Sequence, residues 1–494
     1  MDSIQIPSRT SVKVNAILNA IRLIVNMAFP VVTFPYVSRI LDPEGIGQIN
    51  FASSIVYYFI LIASMGIPIY GVRQVARKRE DHAELSKVVA ELLLLNLTCV
   101  LFSCILFIGF IFIEGGTARS DLLRKLMYIY GISIVFDPLG VAWLYEGLED
   151  FRYITIRNLC FQVIALVLIF VLIRDKNDVI VYAGISVFSS VGSNVLNILH
   201  MRKYVSFRDY VALHPLRHII GILMSFAISI SSTIYLNINM VMLGYMVGPH
   251  STGIFAAANK LTRMVLVAIT SLGTVLLPRA SFYVSTGRQQ QYIDLISKAI
   301  RIVVLFSFPC VVGLELLSSQ VIRVIAGNAF LDSVTTLRII APTIIAASLS
   351  NLLSVQVLYA NGREIATLYI TVIIAAINIV LNLFFISSFK YNGAAVVSVV
   401  TEFLLLIILA IFTRHSGIRI HIGIKEILPI VVSTTVMGLA VKGLKYVLSS
   451  PVMNLLICVP AGIVIYTVML FIMRDELVME IRTRLINRIL KKIG

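Results

Sequence analysis

Asn15, Asn19, Arg22 and Asn26 interrupt an otherwise apolar run, "NAILNAIRLIVN". Steps of four, three and four residues place them on one face of an α-helix, leaving Ala, Ile, Leu and Val on the other. A second set lies far downstream, where Asn259, Lys260, Arg263 and Thr270 fall at helical spacing in another apolar run. A guanidinium or ammonium group costs about 2.5 kcal/mol or more against hydrocarbon, so both faces must look at protein or water. No Asp or Glu occurs in the runs 14–38, 46–71, 218–246 or 252–277 to neutralise these cations. Arg22, Lys260 and Arg263 are therefore expected to line a cavity that takes an anion: arginine grips phosphate or carboxylate through paired hydrogen bonds, and lysine acts as a point charge. Asn15, Asn19, Asn26, Asn50, Ser54, Tyr57, Ser229, Ser232, Asn239 and Asn259 are the expected polar lining. Ser and Asn also serve as hydrogen bonds between membrane helices, so the cations carry the argument. Tyr57, Tyr58, Tyr70 and Tyr235 suit a large amphipathic headgroup better than one small ion, because their rings pack while their hydroxyls hydrogen-bond.

The elements that must hold these residues follow from composition. Of 494 residues, 59% are apolar and 13% charged, which places the chain outside soluble domains and among polytopic membrane proteins. Runs of about 20 apolar residues recur about fourteen times, each long enough to cross the hydrocarbon as a helix. The fold class expected is all-α, and with every connecting loop short, no soluble domain is inserted. Met1 to Ser11 is polar and the first run continues at full length without a small-residue cleavage site, so the first span is expected to stay uncleaved. The net charge of +16 does not point to nucleic acid, because the basic residues cluster between spans. Most of the Lys and Arg fall in "RQVARKRE", "MRKYVSFRDYVALHPLR", "TRHSGIRIHIGIK", "RTRLINRILKK" and similar loops on one side, which places both termini in the cytoplasm. The five cysteines stand singly in apolar runs, so neither a disulfide framework nor a metal site is expected.

An internal repeat organises the spans. "RILDPEGIGQINFASS" resembles "YMVGPHSTGIFAAANK", with Pro43 over Pro249 and Gly47 over Gly253, a shift of about 206 residues. "VYAGISVFSSV" resembles "KYNGAAVVSVV", with Gly184 over Gly393. Two copies of six helices follow, expected at 1–201 and 218–413 and joined by a cytoplasmic loop at 202–217. An even number of spans per copy keeps both in the same orientation, an arrangement of transporters. Spans 13 and 14 (414–473) lie outside the repeat, and 474–494 forms a basic amphipathic tail for the anionic inner surface.

The run "RILDPEGIGQINFASSIVYYFILIASMGIPIYGVRQVARKRED", with Pro43, Gly45, Gly47, Phe51, Gly66, Gly71, Arg73 and Arg77, resembles the second helix and following loop of the polysaccharide-biosynthesis (Wzx-type) flippases. These belong to the multidrug/oligosaccharidyl-lipid/polysaccharide exporter superfamily. "SLGTVLLPRAS" and "SNLLSVQVLYANGRE" are similar to the corresponding pieces of the second half. The resemblance implies a V-shaped pair of six-helix bundles that carries an undecaprenyl-pyrophosphate-linked oligosaccharide from the inner to the outer leaflet of the bacterial cytoplasmic membrane by alternating access. It implies a cationic cavity for the pyrophosphate, no catalysis, no cofactor beyond proton or sodium coupling, and a polysaccharide polymerase as a candidate partner. Spans 13 and 14 are similar to the additional pair of the lipid II flippases.

Glu91, Asp137 and Glu402 are the intramembrane acids that an ion gradient can titrate, and packing accounts for them equally well. Gly66, Pro30 and Pro35 are candidate bending points. A lipid II-type flippase or a multidrug exporter on the same fold is the alternative. An exporter of cationic drugs should carry a carboxylate in the cavity-lining spans, and these have none. A membrane glycosyltransferase would need acids or bases on a long ordered loop, and the sequence has no such loop.

Overall fold

Within hydrocarbon every backbone N–H and C=O must be satisfied inside its own segment, which leaves helices as the solution for apolar runs of this length. The computed structural model describes residues 12–114, 121–206, 213–274, 276–418, 423–448, 450–480 and 482–483; these are almost entirely helical and contain no strand. In chain order the α-helices are α1 (Val12–Ser64), α2 (Ile67–Lys78), α3 (His82–Glu114), α4 (Asp121–Leu139), α5 (Ala142–Gly147), α6 (Phe151–Leu172), α7 (Val179–His200) and α8 (Ile219–Met246). They continue as α9 (Pro249–Thr274), α10 (Leu277–Ser285), α11 (Gln289–Val321), α12 (Ser333–Ile340), α13 (Thr343–Leu352), α14 (Glu364–His415), α15 (Ile424–Val447) and α16 (Pro451–Ile472).

Eleven described segments are long and apolar enough to cross a membrane. Two of them, built on α1 and α14, are broken by a residue in the left-handed region, Asp42 (φ 55°) and Lys390 (φ 52°), so each supplies two crossings. With the 28-residue α8, the described helices account for the fourteen expected crossings. The α1 break falls at Asp42–Pro43, while the dihedrals at Pro30 and Pro35 remain helical. Proline disfavours helical backbone in the residue before it, which is the local reason the chain turns there.

The chain divides into two compact units, 1–253 and 254–494. In the first, α8 packs on α1 and α2. Gly66, at φ 74°, leaves room for the α8 backbone: a Cβ there would sit 2.3 Å from the Phe226 nitrogen. Farther along, the Phe51 ring occupies the space a side chain at Gly244 would need. The expected boundary at 202–217 follows the repeat, whereas this packing carries the unit on to Gly253. The aligned repeat motifs also meet. A Cβ on Gly47 would lie 1.8 Å from the Pro249 carbonyl oxygen, and one on Gly253 would lie 1.9 Å from that of Pro43. Each Pro-x-x-x-Gly therefore closes on its own copy, a contact of the small-residue kind that lets membrane helices approach backbone to backbone.

The core of the first unit gathers Ile67 and Val75 of α2, Val88, Val89 and Leu92 of α3, and Trp143, Leu144 and Tyr145 of the six-residue α5. Those three consecutive buried residues fix α5 and leave Glu146 to point elsewhere. In the second unit the described part of the tail is tied to α11: Arg301 donates to Asp475 (2.8 Å) and Glu476 (3.0 Å), and Lys298 pairs with Glu480. Most of the expected amphipathic tail, including Arg488 and Lys492, lies outside the described residues.

Candidate functional site: two cationic clusters

Arg22, half-buried on α1, is the deepest cation the sequence reading places in the first unit. The expectation that it lacks a counter-charge is corrected: its Nη1 donates to Oε1 of Glu146 at 2.8 Å. Its guanidinium also lies 6.0 Å from the centre of the Phe151 ring, within cation–π range. Glu146 closes an apolar run and reads as the end of a span. The chain instead breaks at Val141, in the left-handed region at φ 41°, and α5 starts in a new direction that aims Glu146 at α1. The Thr155 hydroxyl donates to the Leu18 carbonyl (3.2 Å) and fastens α6 to α1 beside the pair.

Next to Arg22 lies a cleft of about 460 Å³ between the start of α6 and the end of α7, lined by Asp150, Arg152, Tyr153, Arg157, Lys203 and Tyr204 among others. Arg22 is near enough to act electrostatically on Arg157. Asp150 is already committed: it caps α6 by accepting from the Tyr153 N–H, and its other oxygen accepts from the Tyr204 hydroxyl at 2.9 Å. Burial, then the Asp150 carboxylate, push the Tyr204 hydroxyl well above the ordinary tyrosine range, so it keeps its proton and remains the donor. Arg157 gives Nη1 to the Ser193 carbonyl (2.9 Å), while its buried Nε has no hydrogen-bond partner. The His200 ring stacks on Tyr153 at 4.1 Å. Three cations thus face one engaged acid across an aromatic wall, an arrangement able to hold a phosphate-bearing group. The sequence reading missed this cleft; its signal was the alternation of basic and aromatic residues in "EDFRYITIR".

In the second unit Lys260 and Arg263 are half-buried on α9, and Arg263 Nε donates to Asn259 Oδ1 at 3.4 Å. Each makes interactions beyond this, so neither is an isolated charge. Among the expected lining residues, Ser54 and Asn239 are buried and Tyr57 is exposed. Asn50 turns its amide back to the Ile46 carbonyl (2.7 Å), and Ser229 donates to the Ser225 carbonyl (3.1 Å). Bonds of this kind satisfy a polar group within its own helix and carry little information about a ligand. The side chains of Asn15, Asn19, Asn26, Ser232 and Tyr235 lie outside the described residues.

The three expected coupling acids differ. Glu91 is fully buried and accepts from the His214 N–H (2.8 Å), Arg217 Nε (2.9 Å) and Nη2 (2.6 Å), and His218 Nε2 (2.8 Å). With the proton on Nε2, the other His218 nitrogen accepts from the Tyr70 hydroxyl at 2.9 Å. Both Glu91 oxygens are thereby occupied in clamping the segment before α8 to α3. Asp137 is held by neutral donors, Ser190 Oγ (2.6 Å) and Asn194 Nδ2 (2.8 Å), with no ion pair among the described residues. Glu402 is half-buried on α14 and has partners of its own.

Comparison with known proteins agrees with this architecture. An 84% share of the chain is 23% identical to the "Putative O-antigen transporter" of Escherichia coli K12, covering 99% of that protein. A 48% share is 24% identical to a "Probable low-salt glycan biosynthesis flippase" of Haloferax volcanii, covering half of it. Among solved structures, the lipid II flippase MurJ in an inward closed conformation superposes with a TM-score of 0.75 at 17% identity, over 94% of this chain and 99% of that one. An inward-facing multidrug transporter of the MATE family superposes with a TM-score of 0.64 at 16% identity, over 80% and 97%. The chain therefore shares its fold with these two transporters. The pattern described as "Polysaccharide biosynthesis protein" matches residues 12–284, more than half of the sequence, and the chain belongs to that family.

Proposed function

We propose that the protein is a flippase that carries an oligosaccharide linked to undecaprenyl pyrophosphate from the inner to the outer leaflet of the bacterial cytoplasmic membrane, by alternating access, for surface polysaccharide assembly. The observation that carries this reading is the cationic cleft of the first unit, where Arg152, Arg157 and Lys203 face a single acid already bonded elsewhere, with Arg22 beside them. Half-buried Arg157 and exposed Arg152 suit a diphosphate, and the adjoining Tyr153–His200 stack suits a sugar face. The names borne by the relatives support a glycan-lipid cargo.

In this reading the cleft meets the headgroup from the cytoplasmic side, to which the charge distribution assigns the linker 202–217. Arg22 in the first unit, and Lys260 and Arg263 in the second, then bind phosphate oxygens as the polyprenyl chain stays in lipid. The Glu146 pair keeps Arg22 from standing as an uncompensated charge before cargo arrives; exchanging one anion for another costs less than desolvating a bare guanidinium. Coupling to a proton gradient is assigned to Asp137, whose partners are hydroxyl and amide groups that can reorient when it protonates. A lipid II-type cargo is the second reading, favoured by a structural match that extends over 94% of the chain.

Complementation of a strain lacking its own O-antigen flippase tests the proposal. Arg22→Gln, Arg157→Gln, Lys260→Gln and Arg263→Gln should each reach the membrane at normal levels while surface glycan falls at least tenfold. Wild-type glycan from all four variants would reject the assignment. Rescue of a strain lacking the lipid II flippase, without rescue of the O-antigen strain, would favour the second reading.

A further inference from the structure

The second unit contains a cavity of about 550 Å³ that the sequence reading gave no role, within the range of about 300–1,000 Å³ usual for ligand pockets. It lies where the end of α11, the last turn of α12, the last turns of α15 and the first turn of α16 come together. Four cations line it, from three separate elements: Arg323, Arg338 on α12, and Lys442 and Lys445 on α15. Arg323 sits in a π-turn, Ile322–Ala326, that follows the last residue of α11 and ends at Gly327 (φ 96°). Such widened turns are frequent at functional sites. One acid, Glu315, lines the cavity, near enough to Arg338 to act on it electrostatically, and none of the four cations comes within 4.0 Å of a carboxylate oxygen among the described residues.

Exposed lysines and arginines at a helix end are ordinarily solvated, and two features set this group apart. Arg338 Nε donates to Ser318 Oγ and Lys445 Nζ to the Leu316 carbonyl, both at 2.8 Å. These bonds hold two like charges toward one cavity and still leave the Arg338 Nη donors and two ammonium protons unused. The N-terminal turn of the 22-residue α16, with Pro451 and Asn454 in the wall, adds the positive end of its dipole. The cavity borders an apolar surface rather than water alone: Tyr446 and Val447 are 81% and 79% exposed, and Leu439 and Leu456 lie bare on the same helix pair. An anion that enters here can keep an attached hydrocarbon chain against α15 and α16.

We propose that this cavity binds the phosphate or diphosphate headgroup of a membrane lipid. By the orientation adopted under the proposed function, on which this inference rests, the cavity opens at the outer leaflet. The headgroup can come from the released polyprenyl diphosphate carrier or from a resident anionic phospholipid.

Purified full-length protein in neutral detergent is titrated with farnesyl diphosphate, with dihexanoyl phosphatidylglycerol and with inorganic pyrophosphate. The Arg323→Gln/Lys442→Gln variant, which removes two exposed cations that make no hydrogen bond or ion pair among the described residues, should weaken the lipid probes at least tenfold and flatten their salt dependence. Arg338→Lys, which keeps the charge, should lose less. Preference for farnesyl diphosphate assigns the site to the carrier; equal binding of phosphatidylglycerol assigns it to resident lipid. Wild-type affinity in the double variant, or inorganic pyrophosphate binding as tightly as both lipids, would overturn the proposal. The titrations are repeated in an Arg22→Gln background, which weakens the cargo site: the lipid binding that remains should still fall at least tenfold when Arg323→Gln/Lys442→Gln is added, whereas loss of transport in Arg22→Gln alone reports on the flippase reading and not on this site.

Discussion

Replacing Gly47 or Gly253 by alanine adds one methyl group to a crossing where two copies of a repeat touch backbone to backbone. The new Cβ atoms would stand 1.8 Å and 1.9 Å from carbonyl oxygens, and ordinary contact begins at 3.4 Å, so the segments must part by about 1.5 Å. A backbone carbonyl cannot swing aside as a side-chain tip can. Overpacking of this kind costs about 1–3 kcal/mol, and the rigid neighbour puts each single change near 3. Helix propensity acts in the other direction, favouring alanine by about 0.5–1 kcal/mol, and it loses. Because one separation relieves both clashes, the double variant should cost about 3 kcal/mol, not about 6, giving a coupling near the top of the range for touching residues. For a unit of this size each kcal/mol lowers the melting temperature by about 2 °C, so each single variant and the double should all melt about 6 °C below the wild type. Fluorescence-detected size exclusion after heating, at one common rate, measures this. Single variants as stable as the wild type, or a double variant that loses twice as much as either, would refute the close approach of Pro43–Gly47 to Pro249–Gly253.

Glu91→Gln keeps the shape but withdraws the charge from Arg217 and His218; partial exposure of Arg217 moderates the loss, which should be about 3 kcal/mol, seen in the same melting assay and as faster proteolysis between α7 and α8. Unchanged protection of that segment would remove Glu91 from its clamping role. The exchange Arg22→Glu with Glu146→Arg should restore the protein level lost in either single variant but not surface glycan, since the pair survives while the cation moves from α1 to α5. Full recovery of glycan would show that Arg22 has a packing role only. Asp137→Asn should fold normally on its Ser190 and Asn194 partners yet make transport in proteoliposomes insensitive to an imposed pH gradient. A gradient response like that of the wild type would take Asp137 out of coupling.

Crossings were legible in the sequence because apolar length is a local property, and even the breaks at Asp42–Pro43 and at "KYNG" show as turn-forming residues between runs. The repeat, too, was legible, since Pro43, Gly47, Pro249 and Gly253 answer a backbone requirement that few residues meet. Their direct contact was not, because similarity between two segments does not specify that they touch. The unit boundary was obscured for a related reason: α8 is the first helix of a repeat copy, yet Gly66 and Phe51 give it a packing surface in the other copy.

Charges were read correctly in position and incompletely in company. A count of acids within cavity-lining spans finds none, but the acid that meets Arg22 comes from α5, a six-residue helix separated from α4 by Gly140 and the left-handed Val141. Whether a cation is compensated depends on distance, and distance across about 124 residues of chain is set by tertiary packing that no local pattern records. The same limit hid the two basic cavities: Arg152 with Lys203, and Arg323 with Lys442, are ordinary loop-edge cations until α6 meets α7 and α11 meets α15. A cation in such a chain therefore signals a ligand only when its acids are accounted for in space. By that criterion Arg157, which pairs with no carboxylate among the described residues, is a sharper candidate than Arg22, which already holds one.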